Sequence, residues 1–215
     1  MRSWITALVL ACIGLPAAAQ TFSNPMGIGV PNIGGVESPI IVSGVTGNIS
    51  SLSVTLHGVN HAFESNLLFA LIAENAKVGL VFWSGAASLH PIDNATLTFN
   101  DSASQFLPQL GDDTPIVSGV YRPANRAGIG LLGVTNLTSF SGFNGLNPND
   151  NWTLASIDFG PTNRGTINEG WSITFTTGSG AGAVPEPASW AMLIGGFALA
   201  GGAIRRKRVQ ALQAA

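Results

Sequence analysis

Three segments of this 215-residue chain alternate between apolar and hydroxyl-bearing side chains. Leu52, Val54 and Leu56 alternate with Ser53 and Thr55, and Leu97 and Phe99 with Thr96 and Thr98. Trp171, Ile173 and Phe175 alternate with Ser172, Thr174 and Thr176. A period of two sends neighbouring side chains to opposite faces of an extended chain, so each segment reads as a half-buried strand. Two continuous apolar runs, Leu67–Ala73 and Val78–Trp83, read as more central strands, although Leu67–Lys77 alone also suits a short helix. Turn clusters at Asn147-Pro148-Asn149-Asp150 and Pro161-Thr162-Asn163-Arg164-Gly165 punctuate the pattern. Nothing in 20–183 combines helical caps with a helical period. About 160 residues with roughly eight short strands predict an all-β fold, an antiparallel β-sandwich of the jelly-roll kind. Such a length buries an adequate core without disulfides.

Charge narrows the function. The chain has 9 Lys+Arg and 11 Asp+Glu, is 9% charged and 46% hydrophobic, which excludes a disordered polyelectrolyte. Residues 20–183 hold four basic side chains (Lys77, Arg122, Arg126, Arg164) against ten acidic ones, a net of -6. A basic face for nucleic acid is therefore not expected. The other basic residues sit at the two ends, Arg2 at one and Arg205, Arg206, Lys207 and Arg208 at the other, which is how charge is placed in a chain handled by a membrane.

The first nineteen residues read as a secretory signal, with Arg2 as the positive n-region and an uncharged apolar stretch from Trp4 to Leu15. Pro16 breaks the helix, and Ala17 and Ala19 supply the small residues that signal peptidase requires, which places cleavage after Ala19 and leaves Gln20 as the new N-terminus. An uncleaved anchor helix is the competing reading. Cys12 is the one cysteine, so removal of the signal leaves no thiol for a disulfide, a nucleophile or a zinc site.

The other end is more specific. A Gly/Ala/Ser linker, 178–183, precedes Val184-Pro185-Glu186-Pro187-Ala188-Ser189-Trp190-Ala191, an uncharged run from Met192 to Ile204, and the basic cluster Arg205–Arg208. Ala188 to Ile204 would span about 25 Å as a helix, at the short end for crossing a bilayer. Trp190 would lie at one interface and the basic cluster would hold the other end in the cytoplasm. An ordinary tail anchor or a buried core helix are the plain alternatives. Pro185, Glu186, Pro187, Trp190 and Ala191, followed by a Gly-rich apolar helix and a terminal basic cluster, resemble the PEP-CTERM sorting signal in its Trp-Ala variant, found in Gram-negative bacteria. The resemblance covers about 184–208. It implies recognition by exosortase, cleavage near the motif, and passage through an inner-membrane intermediate to the cell surface or extracellular matrix. The prolines fit, because they keep the cleavage strand extended and out of the helix.

A second, more diffuse resemblance spans about 36–177. Phe143–Leu154, Asp158, Gly165-Thr166-Ile167 and Gly170–Phe175 are similar to the ending of the P-domain (Homo B) of proprotein convertases. Val42–Ile49, Val54-Thr55-Leu56, His61, Leu97–Asp101 and Gly119–Pro123 are similar to its earlier strands. The resemblance implies a β jelly roll. No protease domain is attached, so convertase activity does not carry over. Asn66 stands where calcium-binding members place an Asp. Asp101, Asp112, Asp113 and Asp158 remain as oxygen donors, but no loop has the alternation of a dedicated calcium site, so no cofactor is expected beyond an optional structural calcium.

Catalytic constellations are thin. His57 and His61 are four apart but straddle a Gly58 turn and lack the Glu of a zinc-protease motif. Gly128-Ile129-Gly130-Leu131-Leu132-Gly133 matches G-x-G-x-x-G by letter, yet turn residues rather than a helix follow it. Asp112 and Asp113 are adjacent and would point apart on an extended chain. Trp83, Trp152 and Trp171 fall on strands and are core candidates, with stacking on a sugar ring as the alternative use.

The sequence thus predicts a signal peptide (1–19), a β-sandwich (20–183), a sorting signal (184–208) and a short cytoplasmic tail (209–215). The expected role is a non-catalytic surface or matrix protein, structural or adhesive in biofilm or exopolysaccharide. Its partners would be signal peptidase, exosortase, the membrane and extracellular polysaccharide, and not nucleic acid. A membrane-tethered glycan- or calcium-binding module is the alternative, and a hydrolase built on His57 or His61 a third reading.

Overall fold

A computed structural model of the chain describes residues 19–62, 64–86, 90–109, 112, 114–161 and 164–178, together with Phe197. The chain divides into two compact units, Met1–Gly178 and Ser179–Ala215. In the second, Phe197 is helical and its ring is exposed. The expected signal helix and membrane helix lie outside the described residues, and among those residues no helix is long and apolar enough to cross a membrane.

Among the described residues the first unit is built from strands β1 (Ala19–Asn24), β2 (Ile28–Val30), β3 (Gly34–Ile41), β4 (Asn48–His61), β5 (Leu67–Ala73) and β6 (Val78–Ser84). It continues with β7 (Ile92–Phe99), β8 (Gly119–Tyr121), β9 (Ala124–Asn125), β10 (Thr135–Asn136), β11 (Asn151–Asp158), β12 (Gly165–Ile167) and β13 (Trp171–Gly178). Two short 3-10 turns, Glu64–Asn66 and Phe140–Phe143, interrupt them.

The strands form two sheets. β4 organises the first: β13 and β12 pair along one edge of it and β7 along the other, with β1 outside β13, β2 outside β12 and β8 outside β7. The second runs β10-β6-β5-β11-β3, with β9 also on β6. The long pairings are antiparallel, as expected. The short strands β8, β9 and β10 add parallel pairs of two or three residues, a departure from the purely antiparallel expectation. These fragments carry no periodic pattern because each is a stretch of loop laid against a finished strand.

The alternation in the sequence is the alternation of burial. Leu52, Val54 and Leu56, Leu97 and Phe99, and Trp171, Ile173 and Phe175 all face a single core shared by both sheets. Rings join the sheets across it: Trp152 meets Phe175 at 5.1 Å, and Phe82 meets Phe99 at 5.0 Å. The continuous runs β5 and β6 are apolar on both faces because the second sheet has a covered outer face. There Leu68, Ala70 and Val81 form a small second cluster with Ile129 and Leu131 from the loop after β9.

Candidate functional site

The sorting residues Pro185, Glu186, Pro187, Trp190 and Ala191 lie outside the described residues, as do Arg205, Arg206, Lys207, Arg208 and Ala17. Ala19 heads β1, opposite Thr176 near the end of β13, the last strand of the body. The N-terminal strand and the strand that leads into the linker are therefore direct neighbours.

His57 and His61 do not share a site. A bulge at Gly58 (φ 69°) adds one residue to β4 between Leu56 and Val59 and shifts the phase of its faces. His57 stays on the outer face, where its Nε2 meets Ser172 Oγ at 2.9 Å. His61 turns inward, and its Nε2 meets Asp158 Oδ2 at 3.1 Å with neither side chain exposed. The hydrolase reading required both histidines to open into one polar pocket, and this geometry does not provide it. Asn66 stands beside Asp158, with Gly160 passing so close to both that a Cβ would strike the Asn66 amide.

The carboxylates offered as oxygen donors are engaged by backbone amides. Asp101 accepts from the N–H of Phe140 (3.0 Å) and of Ser141 (2.7 Å), capping a turn whose own N-cap, Ser139, makes no side-chain cap. Asp158 accepts from Gly160 N–H at 2.7 Å through its other oxygen. Asp112 accepts from Gln109 N–H at 2.9 Å, and Asp113 lies outside the described residues. Asp150, which the sequence did not single out, accepts from Asn75 and Ala76 and so ties the β5–β6 turn to the start of β11. Each of these anions is matched to N–H dipoles that would otherwise lack a partner.

The three body tryptophans are core. Trp83, Trp152 and Trp171 are at most 1% exposed, so stacking of a sugar ring on any of them, the use kept open above, is ruled out in this structure. The G-x-G-x-x-G stretch is the loop that drops Ile129 and Leu131 onto the second sheet, pinned by Asn136, whose side chain bonds both the N–H and the C=O of Leu131. Its amides are used in packing, and no phosphate cradle forms.

The surface holds a feature that the sequence reading missed. Phe106 is 49% exposed, and the guanidiniums of Arg122 and Arg126 lie over its ring, 5.6 Å and 5.8 Å from its centroid. Arg126 is anchored by Nη1 to the Pro108 carbonyl at 3.1 Å; burial lowers its pKa below the usual arginine value, and the charge of Asp112 offsets part of that shift. Phe106 and Arg122 line a hollow of about 420 Å³ with Asp101, Thr138, Ser139 and Ser141. Asp101 and Ser141 also line a neighbouring hollow of about 330 Å³, walled by Ser51, Ser53, Asn144, Thr174 and Thr176.

Residues 183–208 match the family model of the PEP-CTERM protein-sorting motif. The chain carries a PEP-CTERM motif. Pro185-Glu186-Pro187, Trp190-Ala191 and the basic cluster all fall within the matched span, and the motif implies an exported protein that exosortase processes at the membrane. The PEP-CTERM match does not reach the β-rich body. No solved structure matches the chain, so the resemblance of the body to the P-domain gains no structural support.

Proposed function

We propose that this is an exported, exosortase-processed protein of a Gram-negative cell surface or extracellular matrix, with a non-catalytic, structural or adhesive body. The sorting motif at 183–208 carries the reading. A secretory signal at 1–19 sends the chain out, the apolar segment Ala188–Ile204 holds it in the inner membrane, and cleavage near Pro185-Glu186-Pro187 releases the body toward a biofilm or exopolysaccharide layer.

The body supports a passive role. His61 and Asp158, a close pairing of an acid and a potential base, are sealed in the core at 0% side-chain exposure, and a general base must reach its substrate. The carboxylates of Asp101, Asp150 and Asp158 are bound by amides or histidine, which supports a body that holds its loops without calcium.

Cell fractionation tests the reading. The protein is expected in the extracellular matrix fraction, and a Pro185→Ala, Pro187→Ala variant in the membrane fraction. Equal export of both would remove the role of the motif. Turnover of a substrate by the purified protein, abolished by His57→Ala or His61→Ala, would overturn the non-catalytic body.

A further inference from the structure

The two hollows both have Asp101 and Ser141 in their walls and so adjoin, and their linings differ chemically. In the larger half-chamber by volume, at about 420 Å³, stand the exposed ring of Phe106 and the guanidinium of Arg122. In the other, Asp101 is the one ionisable side chain, and every other polar lining group is a hydroxyl or an amide. Asp101 itself is fixed at the junction by the amides of Phe140 and Ser141. Leu52 and Phe140, both buried, give that half an apolar floor.

Charge is concentrated here against the trend of the body. Two of the four basic side chains of 20–183 meet on the Phe106 ring, in a segment whose net charge is -6. Arg126 is committed to Pro108 and to the field of Asp112. Arg122 is exposed, and its guanidinium rests on the ring and makes no hydrogen bond or ion pair to the protein among the described residues. A planar fork held on an aromatic face and aimed at solvent is prepared for a carboxylate, which it can grip with two parallel N–H bonds. The adjoining hydroxyls and amides both donate and accept, which suits the hydroxyls of a sugar. A small anion would use only the arginine half, and a neutral chain would leave the arginine without a use. The negative charge of the rest of the body acts over about 8 Å at physiological salt, so the groups of the site itself decide: Asp101 is occupied by two backbone amides and Asp112 lies in the field of Arg126, which leaves Arg122 to meet an anion.

We propose that the two adjoining hollows act as one groove for a segment of an acidic, uronate-bearing polysaccharide, with a sugar carboxylate on Arg122 and neighbouring sugar hydroxyls in the Ser/Thr-lined half. The inference names the partner of the adhesive body proposed above, and depends on that reading only in taking the polymer to be met outside the cell.

The test uses the full chain in mild detergent, with oligomers of alginate, a polyuronate, as the acidic probe, dextran as the neutral one, and inorganic phosphate as a competitor. Saturable binding of alginate and none of dextran is expected. Arg122→Ala and Phe106→Ala should each weaken alginate binding by about tenfold or more, as expected for loss of a charge-assisted contact or its support. Arg122→Lys, which keeps the charge but loses the fork, should fall between. The Arg122 side chain is exposed and makes no hydrogen bond or ion pair among the described residues, so its removal should leave the fold intact. Undiminished binding by Arg122→Ala would overturn the proposal, as would equal binding of dextran. Displacement by phosphate at matched charge would reduce the groove to a general anion site and overturn the sugar assignment. Tail cleavage should be identical in wild type and Arg122→Ala, so failure of the ligand and failure of the sorting reading are separate results.

Discussion

His61 and Asp158 are 97 residues apart in sequence, and their side chains meet at 3.1 Å inside the core. His61 is the last residue of β4 and Asp158 the last of β11, so the pair stitches the two sheets together at one end of the body. Its surroundings are tight, since a Cβ on Gly165 would lie 2.7 Å from the imidazole Cδ2. Asp158→Ala removes a buried carboxylate that bonds both His61 and the Gly160 N–H, and should cost about 1–3 kcal/mol of stability in chemical denaturation followed by tryptophan fluorescence. Asp158→Asn keeps an acceptor for Gly160 N–H and should cost clearly less. Equal losses would show that the amide contact contributes nothing.

Gly170 sets how β1 closes the first sheet. Its φ is 70°, and a Cβ there would run into the Asn24 carbonyl oxygen at the end of β1. Gly170→Ala combines backbone strain with a clash against backbone, and a loss of at least about 2 kcal/mol is expected. The damage should be local first: amide exchange along Ala19–Asn24 should accelerate more than exchange in β5, which lies in the other sheet. Uniform acceleration would contradict this placement of the strain.

The three buried indoles are unequal. Trp152 donates to the Pro148 carbonyl at 2.9 Å and Trp171 to Ser38 Oγ at 3.0 Å, whereas Trp83 Nε1 has no acceptor among the described residues. Trp83→Phe removes a donor that folding leaves unpaired, and Trp171→Phe removes a bond that folding makes. Both lose ring volume, so the difference isolates the hydrogen bond. Trp171→Phe should cost about 1 kcal/mol more than Trp83→Phe. The reverse order would place an acceptor beside Trp83.

Burial raises the pKa of Tyr121, which donates its hydroxyl to the Val117 carbonyl at 2.8 Å. With the folded pKa above the unfolded one, the native state holds its proton longer, so this contribution is complete below the unfolded value and shrinks as pH rises past about 10. Thermal melts should show a stability decline in that alkaline window, and Tyr121→Phe should flatten it. An unchanged slope in the variant would assign the decline to other groups.

The long strands were legible because a half-buried sheet imposes its period on the side chains, as along Leu52–Leu56 and Trp171–Phe175. The face of His61 was not, because a single extra residue at Gly58 reverses inside and outside without changing composition. Asp101 and Asp150 were unreadable as caps: apart from Asn151 beside Asp150, their partners are backbone amides 39 to 75 residues away, and any residue but proline can supply an amide. The groove was hidden for a related reason. Phe106, Arg122 and Ser141 come from separate loops with no shared spacing, and only the folded sheets bring them together. The sorting motif, by contrast, is read by an enzyme along a linear stretch, so its order and spacing are all in the text of the chain.

The intact mass of the protein recovered outside the cell, from strains with and without exosortase, tests the central claim most directly. The account predicts a species that begins at Gln20 and ends near Pro187, present outside the cell only when exosortase is present. A chain that retains Arg205–Ala215 and stays in the inner membrane in both strains would contradict it, and would make the match at 183–208 a plain anchor.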